Sequence, residues 1–371
     1  MLTVEFVGGS LLGRDGLVAR PLAMDAGVIV DVACTRQVDA SGFTLLPGII
    51  DLHGDGFERH VAPRRGAMKD VPAGVRAAEA EMAANGITTG VLAQFVSWEG
   101  GLRGAEFADK VFCAIRDSDT VTDLRAQMRF ETHQLDLYAD LPARLADWDI
   151  GYIVFNDHLP HARLEAGKTP KRLVAEALRA ARSPEKHLAL IQALHANSTE
   201  VPAALDGLCR ALAAQGVRMG SHDDNTQDQR MAWAARGVQI AEFPETLEAA
   251  EASGDVILGS PNLVRGGSHK GNVSALDVVM MGNCDALASD YHYPSLRRAA
   301  VFLAKTLGLA QAWHLVSSGP AHVLGLEDRG RLEPGLRADV VILDAENRVA
   351  GTISGGRVSY MIGDLAERFL R

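Results

Sequence analysis

Three observations predict an α/β fold for this chain of 371 residues: a (β/α)8, TIM-like barrel with a small β domain formed by both termini. Short apolar runs alternate with helix-type segments through the middle of the chain. The runs number eight, the strand count of such a barrel. Both ends have a different, strand-only texture.

Taken in order, 4–7, 17–22 and 27–32 are apolar or β-branched runs cut by Gly and Asp, and 338–343 and 356–361 read the same way. These terminal segments are expected to pair as one β domain, 1–46 with 330–371, leaving 47–329 as the catalytic barrel. The barrel strands are expected at 45–52, 88–95, 130–137, 150–155, 218–221, 238–242, 256–259 and 286–289, with helices such as 71–85, 171–181, 201–215 and 228–236 between them. An open doubly wound sheet is the alternative. No glycine-rich phosphate fingerprint follows the first strand, so dinucleotide binding has no support.

Composition narrows the class. Apolar residues make up 47% and charged residues 23% of the chain, as in ordinary globular proteins. The net charge of −10, from 37 basic and 47 acidic side chains, argues against a general nucleic-acid or membrane surface. It leaves room for an anionic substrate in one locally basic pocket. Cys34, Cys113, Cys209 and Cys284 form no CxxC pair, as expected of reduced thiols. No secretory signal and no uncharged apolar run of about 18 residues is seen, so a cytoplasmic protein is expected. A homo-oligomer is one option the sequence leaves open.

The strand ends carry the chemistry. The first runs into Asp51-Leu52-His53-Gly54-Asp55-Gly56, and the third is expected to end near Asp140. The fourth ends in Asn156-Asp157-His158, the fifth in Ser221-His222-Asp223-Asp224, and the eighth in Ser289-Asp290-Tyr291-His292. In this barrel the C-terminal strand ends form the active-site face. Imidazoles and carboxylates together suit one or two divalent ions such as Zn²⁺ or Mn²⁺. His53 and Asp55 share a side because alternate residues of an extended segment do. The expected metal ligands are His53, Asp55, Asp140, His158, His222 and Asp290. Asp140 is the bridging candidate if two ions are bound, and Asp290 is also the catalytic residue. The competing reading of Asp290 is a helix cap. Isolated histidines (His133, His187, His195, His314 and His322) read as structural, His133 as a strand residue that could be core.

Two basic, glycine-containing loops fall at the same mouth. Arg59-His60-Val61-Ala62-Pro63-Arg64-Arg65-Gly66 follows the first strand, and residues 261–272 follow the seventh. Glycines let backbone N–H groups approach an anion, and Arg offers a planar fork to phosphate oxygens. His60, Arg64, Asn262, Arg265, His269 and Lys270 are therefore expected to bind a phosphorylated small-molecule substrate. Ordinary solvated loops are the bland alternative.

The run Leu46-Pro47-Gly48-Ile49-Ile50-Asp51-Leu52-His53 and the tail Gly330-Arg331-Leu332-Glu333-Pro334-Gly335-Leu336-Arg337-Ala338-Asp339-Val340 resemble the amidohydrolase superfamily. Within it, His53-Gly54-Asp55 running on to His60 and Pro63-Arg64, Asn156-Asp157-His158, Gly220–Thr226, Glu242-Phe243-Pro244, Asn262–Asn272 and Ser289-Asp290-Tyr291 resemble its diphosphatases of phosphonate catabolism. The resemblance implies a barrel flanked by a β-sandwich, one or two divalent metals, and hydrolysis of a sugar 5-triphosphate to the 5-phosphate and pyrophosphate. It also implies Glu at the third-strand ligand position, which Asp140 is expected to fill in this chain. The rivals are a C–N amidohydrolase, such as a deacetylase or cyclic-amide hydrolase, and a non-catalytic metal- or phosphate-binding homologue.

Overall fold

The structure is a computed structural model, and it describes residues 1–63, 70–266 and 273–371. Eight strands form one sheet in strict chain order. They are Ile49–Gly54, Ile87–Val96, Asp123–Glu131, Tyr152–Asn156, Arg218–His222, Ile240–Glu242, Asp255–Gly259 and Ala286–Ala288. Helices intervene, among them Val71–Ala84, Ala105–Arg116, Val201–Ala214 and Ser295–Leu307. Parallel strands need such crossovers. The first and last strands are bridged in parallel at Gly54 and Asp290. The chain is a (β/α)8 barrel of the predicted class. Among the described residues, no helix is long and apolar enough to cross a membrane.

The chain divides into two compact units. The first comprises Met1–Leu92, Ser118–Arg125 and Asp255–Arg371. It contains both terminal segments, whose strands do pair with each other: Thr44–Pro47 runs antiparallel to Val340–Leu343. A four-stranded sheet that includes Val4–Val7 and a six-stranded sheet share a core of Val4, Phe6, Met24, Leu45, Val340 and Ile342, all nearly inaccessible. The expected single strand 45–52 is instead two, Thr44–Pro47 and Ile49–Gly54, parted at Gly48. A Cβ at Gly48 would lie 2.2 Å from Thr88 Oγ1, so the crossing admits only glycine.

The second unit comprises Ala93–Asp117 and Ala126–Gly254. Here the third barrel strand departs from expectation. It ends at Glu131, and the residues beyond form a turn and the short helix Leu135–Leu137. The reason lies in its alternation. Ala126, Met128 and Phe130 face one way; Gln127, Arg129 and Glu131 face the other, and all six are buried. A strand whose inner face is polar has no apolar run to announce it.

Candidate metal centre

In the first unit, His53 is fully buried at the end of the first strand. Asp290 donates its N–H to the His53 carbonyl at 2.9 Å, and Asp55 donates its N–H to the Asp290 carbonyl at 2.9 Å. Two backbone bonds thus hold His53, Asp55 and Asp290 together. Asp290 sits at φ +54°, in the left-handed region that non-glycine residues enter at a cost. Ser289 anchors this turn to the buried Asp51 carboxylate, donating from N–H at 2.9 Å and from the hydroxyl at 2.5 Å. Burial pushes the Asp51 carboxyl above the usual range, against the opposing pull of Ser289. Gly54 is demanded by closeness, since a Cβ there would lie 2.7 Å from Asp51 Oδ2 and 2.9 Å from Tyr293 Cε1.

The second unit presents the other predicted histidines. Glu131 Oε1 meets His158 Nδ1 in a short hydrogen bond, while Oε2 accepts from the His158 N–H at 3.1 Å and from Trp98 Nε1 at 3.2 Å. Burial alone would raise the Glu131 carboxyl; the bonds and charge of His158 outweigh it and hold it below its usual range. His158 is correspondingly raised, burial opposing and Glu131 prevailing. Arg129 donates to Asn156 Oδ1 at 3.2 Å and lies 3.0 Å from His222 Nε2, a contact in which the guanidinium donates. Asp223 faces the other ring nitrogen of His222 at 3.2 Å. Glu242, buried at the end of the sixth strand, accepts from Gln127 at 2.7 Å and from Tyr152 at 2.6 Å.

Asp140 is not part of this cluster. It is exposed and precedes helix Leu141–Asp147, nine residues beyond the true end of the third strand. Glu131 occupies the strand end instead. The signal that could have found it was the alternation of Gln127, Arg129 and Glu131. Glu99, Glu131 and His158 offer donor atoms all within 4.8 Å of one another. An ionised, buried carboxylate beside imidazole suits a borderline divalent ion, so these residues fit such a metal.

The predicted anion-binding residues are divided. His60 and Arg59 both engage Glu81, at 2.7 and 2.5 Å, so the acid offsets the charge of Arg59 and occupies the His60 ring. Arg265 is exposed and donates to Asn262 Oδ1 at 3.1 Å and to the Tyr291 hydroxyl at 3.2 Å, beside the turn that follows the eighth strand. Arg64, His269 and Lys270 lie outside the described residues.

A barrel whose strand ends gather histidines and acidic residues defines a class, and comparison with known proteins agrees. The chain belongs to the amidohydrolase family, whose model matches residues 55–360. It is 34% identical over 367 residues to the α-D-ribose 1-methylphosphonate 5-triphosphate diphosphatase of Escherichia coli (strain K12), covering 92% of each chain. Among solved structures, it resembles an amidohydrolase with TM-score 0.65 at 15% identity, over 97% of this chain and 99% of that one. It also resembles the atrazine chlorohydrolase of Arthrobacter aurescens TC1 complexed with zinc, with TM-score 0.62 at 14% identity, over 99% and 98%. At such identities these structures speak for the fold alone. The chain is thus a hydrolase-family barrel, as its sequence led one to expect.

Proposed function

We propose that this protein is a cytoplasmic, metal-dependent diphosphatase that hydrolyses α-D-ribose 1-methylphosphonate 5-triphosphate to the 5-phosphate and pyrophosphate, in phosphonate catabolism by the carbon–phosphorus lyase route. The observation that carries this reading is the 34% identity, spanning 92% of both chains, with the diphosphatase of E. coli. The domain division 1–46 with 330–371, and 47–329, belongs to the same reading.

One or two divalent ions, zinc or manganese in type, would be held by His53, Asp55, His158, His222 and Asp290, with Glu131 taking the carboxylate role expected of Asp140. When bound, such an ion acidifies a water and polarises a phosphoryl oxygen. The remaining work falls to the chain. Asp290, pinned by its backbone to His53 and Asp55, takes the water's proton. Glu131 keeps the His158 ring in one orientation by bonding it at Nδ1. Arg129, against His222 and Asn156, adds fixed positive charge beside the fourth and fifth strand ends. Arg265, with Arg64, His269 and Lys270 from the basic loops, would neutralise the triphosphate and the departing pyrophosphate, and Asn262 would hydrogen-bond the substrate. His60, shared with Glu81, would serve the same end by orienting that loop.

The test compares chelator-stripped protein with protein reloaded with Mn²⁺ or Zn²⁺, on the ribose 5-triphosphate substrate and on a panel of amides. Metal-dependent pyrophosphate release without amide cleavage supports the reading. Amide cleavage in its place supports the C–N hydrolase, and metal binding without turnover of either supports a non-catalytic homologue.

A further inference from the structure

Apart from the six residues assigned to the barrel centre, the second unit gathers three histidines around one carboxylate. His133 lies two residues past the third strand, Asp157 just past the fourth, His161 at the start of helix His161–Glu165, and His195 in the last turn of helix Pro184–Ala196. His133, Asp157 and His161, with Ser198, line part of a cavity of about 590 Å³ whose wall also carries His158 and His222.

The distances have the scale of a coordination shell. His133 Nδ1 is 3.5 Å from Asp157 Oδ1, and His161 Nε2 is 3.1 Å from Asp157 Oδ2. One donor atom from each of the three residues falls within 4.8 Å of the others. Four donors placed tetrahedrally at 2.0–2.1 Å from an ion lie roughly 3.3–3.4 Å apart, so only small side-chain shifts separate this cluster from a filled site.

The outer nitrogens are also engaged as ligating histidines require. With Nε2 of His161 turned to the ion, its Nδ1–H donates to His195 Nδ1, 2.8 Å away. With Nδ1 of His133 turned inward, its Nε2–H donates to Ser198 Oγ at 3.3 Å, and the Ser198 hydroxyl donates onward to the His195 carbonyl at 2.6 Å. One competing contact, Thr132 Oγ1 at 3.4 Å from His133 Nδ1, is long and can rotate away. Partners of this kind fix ring orientation and tautomer around bound metals.

We propose that His133, Asp157 and His161 bind a divalent transition-metal ion of zinc type, oriented by His195 and Ser198, through ligands other than those assigned to the barrel centre and on a cavity wall shared with His158 and His222. Its donor set is two imidazoles and one carboxylate. The fourth position faces the cavity and takes water or an anionic oxygen, so the site carries net positive charge toward any phosphorylated compound that enters there.

The experiment uses the full-length chain, stripped by chelator and titrated with Co²⁺ while visible absorption and bound metal are measured. Wild type should bind one equivalent per chain more than His161→Gln, and that equivalent should carry the d–d absorption of low-coordinate Co²⁺. Asp157→Asn, at an exposed carboxylate, should lose the same equivalent, and circular dichroism checks that each variant is folded. His195→Ala should keep it with roughly 10–100-fold weaker affinity. In Glu131→Gln the barrel centre is impaired while the His161-dependent equivalent persists, which separates failure of the functional reading from failure of this one. Equal stoichiometry in wild type, His161→Gln and Asp157→Asn would overturn the proposal and leave the cluster a hydrogen-bonded network.

Discussion

Ser289 gives both its backbone N–H and its hydroxyl to the Asp51 carboxylate, at 2.9 and 2.5 Å, and so ties the end of the last barrel strand to the first. The residues that follow on each side, Asp290 and His53, are themselves joined through the backbone. The geometry of the proposed centre in the first unit therefore rests on a carboxylate that is itself fully buried. Ser289→Ala removes one of its donors while the other stays in place. A stability loss of about 1–3 kcal/mol is expected, the cost of leaving a buried acceptor short of a partner. Urea unfolding measures it, and kcat should fall as Asp290 drifts.

Gly54 sits within this clamp. In Gly54→Ala the new methyl would press on Asp51 Oδ2 and on the Tyr293 ring. Overpacking of a buried site costs about 1–3 kcal/mol. Here it should also lower activity, because the atoms that must yield are those that position His53 and Asp290. A variant with wild-type melting temperature and wild-type kcat would show that the contact is relieved without consequence.

Glu131 occupies the third-strand end that strand-end reasoning places near Asp140, and is proposed in its role. Glu131→Gln keeps the shape and removes the charge, so metal content should fall and kcat/KM should drop by roughly 10–100-fold, on the order seen when partners of metal ligands are lost. Asp140→Asn, on an exposed residue, should change neither. Metal analysis and steady-state kinetics on the two variants side by side discriminate between them, and the opposite ranking would restore Asp140.

Acid stability has an identifiable contributor away from the centre. Asp123 accepts from Arg329 at 2.5 Å and from Arg125 at 3.1 Å. Burial raises its carboxyl, but the two guanidinium groups prevail and hold it below the usual range. A carboxylate depressed in the folded state stabilises the fold above its unfolded value, about pH 4, and that contribution is lost as pH falls through the folded value. Asp123→Asn should therefore cost about 1–3 kcal/mol at pH 7, between the exposed and buried limits for ion pairs, and should show a flatter decline from pH 5 to pH 3. Melting temperature across that range checks the sign.

How much was legible beforehand follows from what each strand shows the solvent. Runs such as Ile49-Ile50-Asp51-Leu52 and Tyr152-Ile153-Val154-Phe155 are buried on both faces and read as strands at sight. The pairing of the two termini was expected from their strand-only texture, but Thr44–Pro47, which pairs with Val340–Leu343, overlaps the run expected as the first barrel strand. The third strand was not legible, because its inward face is Gln127, Arg129 and Glu131; it was expected at 130–137, with its end near Asp140. His133 and His195 read as isolated histidines for a different reason. They lie far apart in the chain, and only the fold brings them to His161, His133 from the turn after the third strand and His195 from a helix.

The central claim is phosphoanhydride hydrolysis with pyrophosphate leaving as a unit. It is tested most directly by ³¹P NMR of the metal-loaded protein turning over α-D-ribose 1-methylphosphonate 5-triphosphate. The account predicts that pyrophosphate and the 5-phosphate ester appear together in equal amounts, with the phosphonate resonance retained and with no turnover after chelation. Stepwise release of inorganic phosphate, or an unchanged triphosphate spectrum in the presence of bound metal, would contradict it.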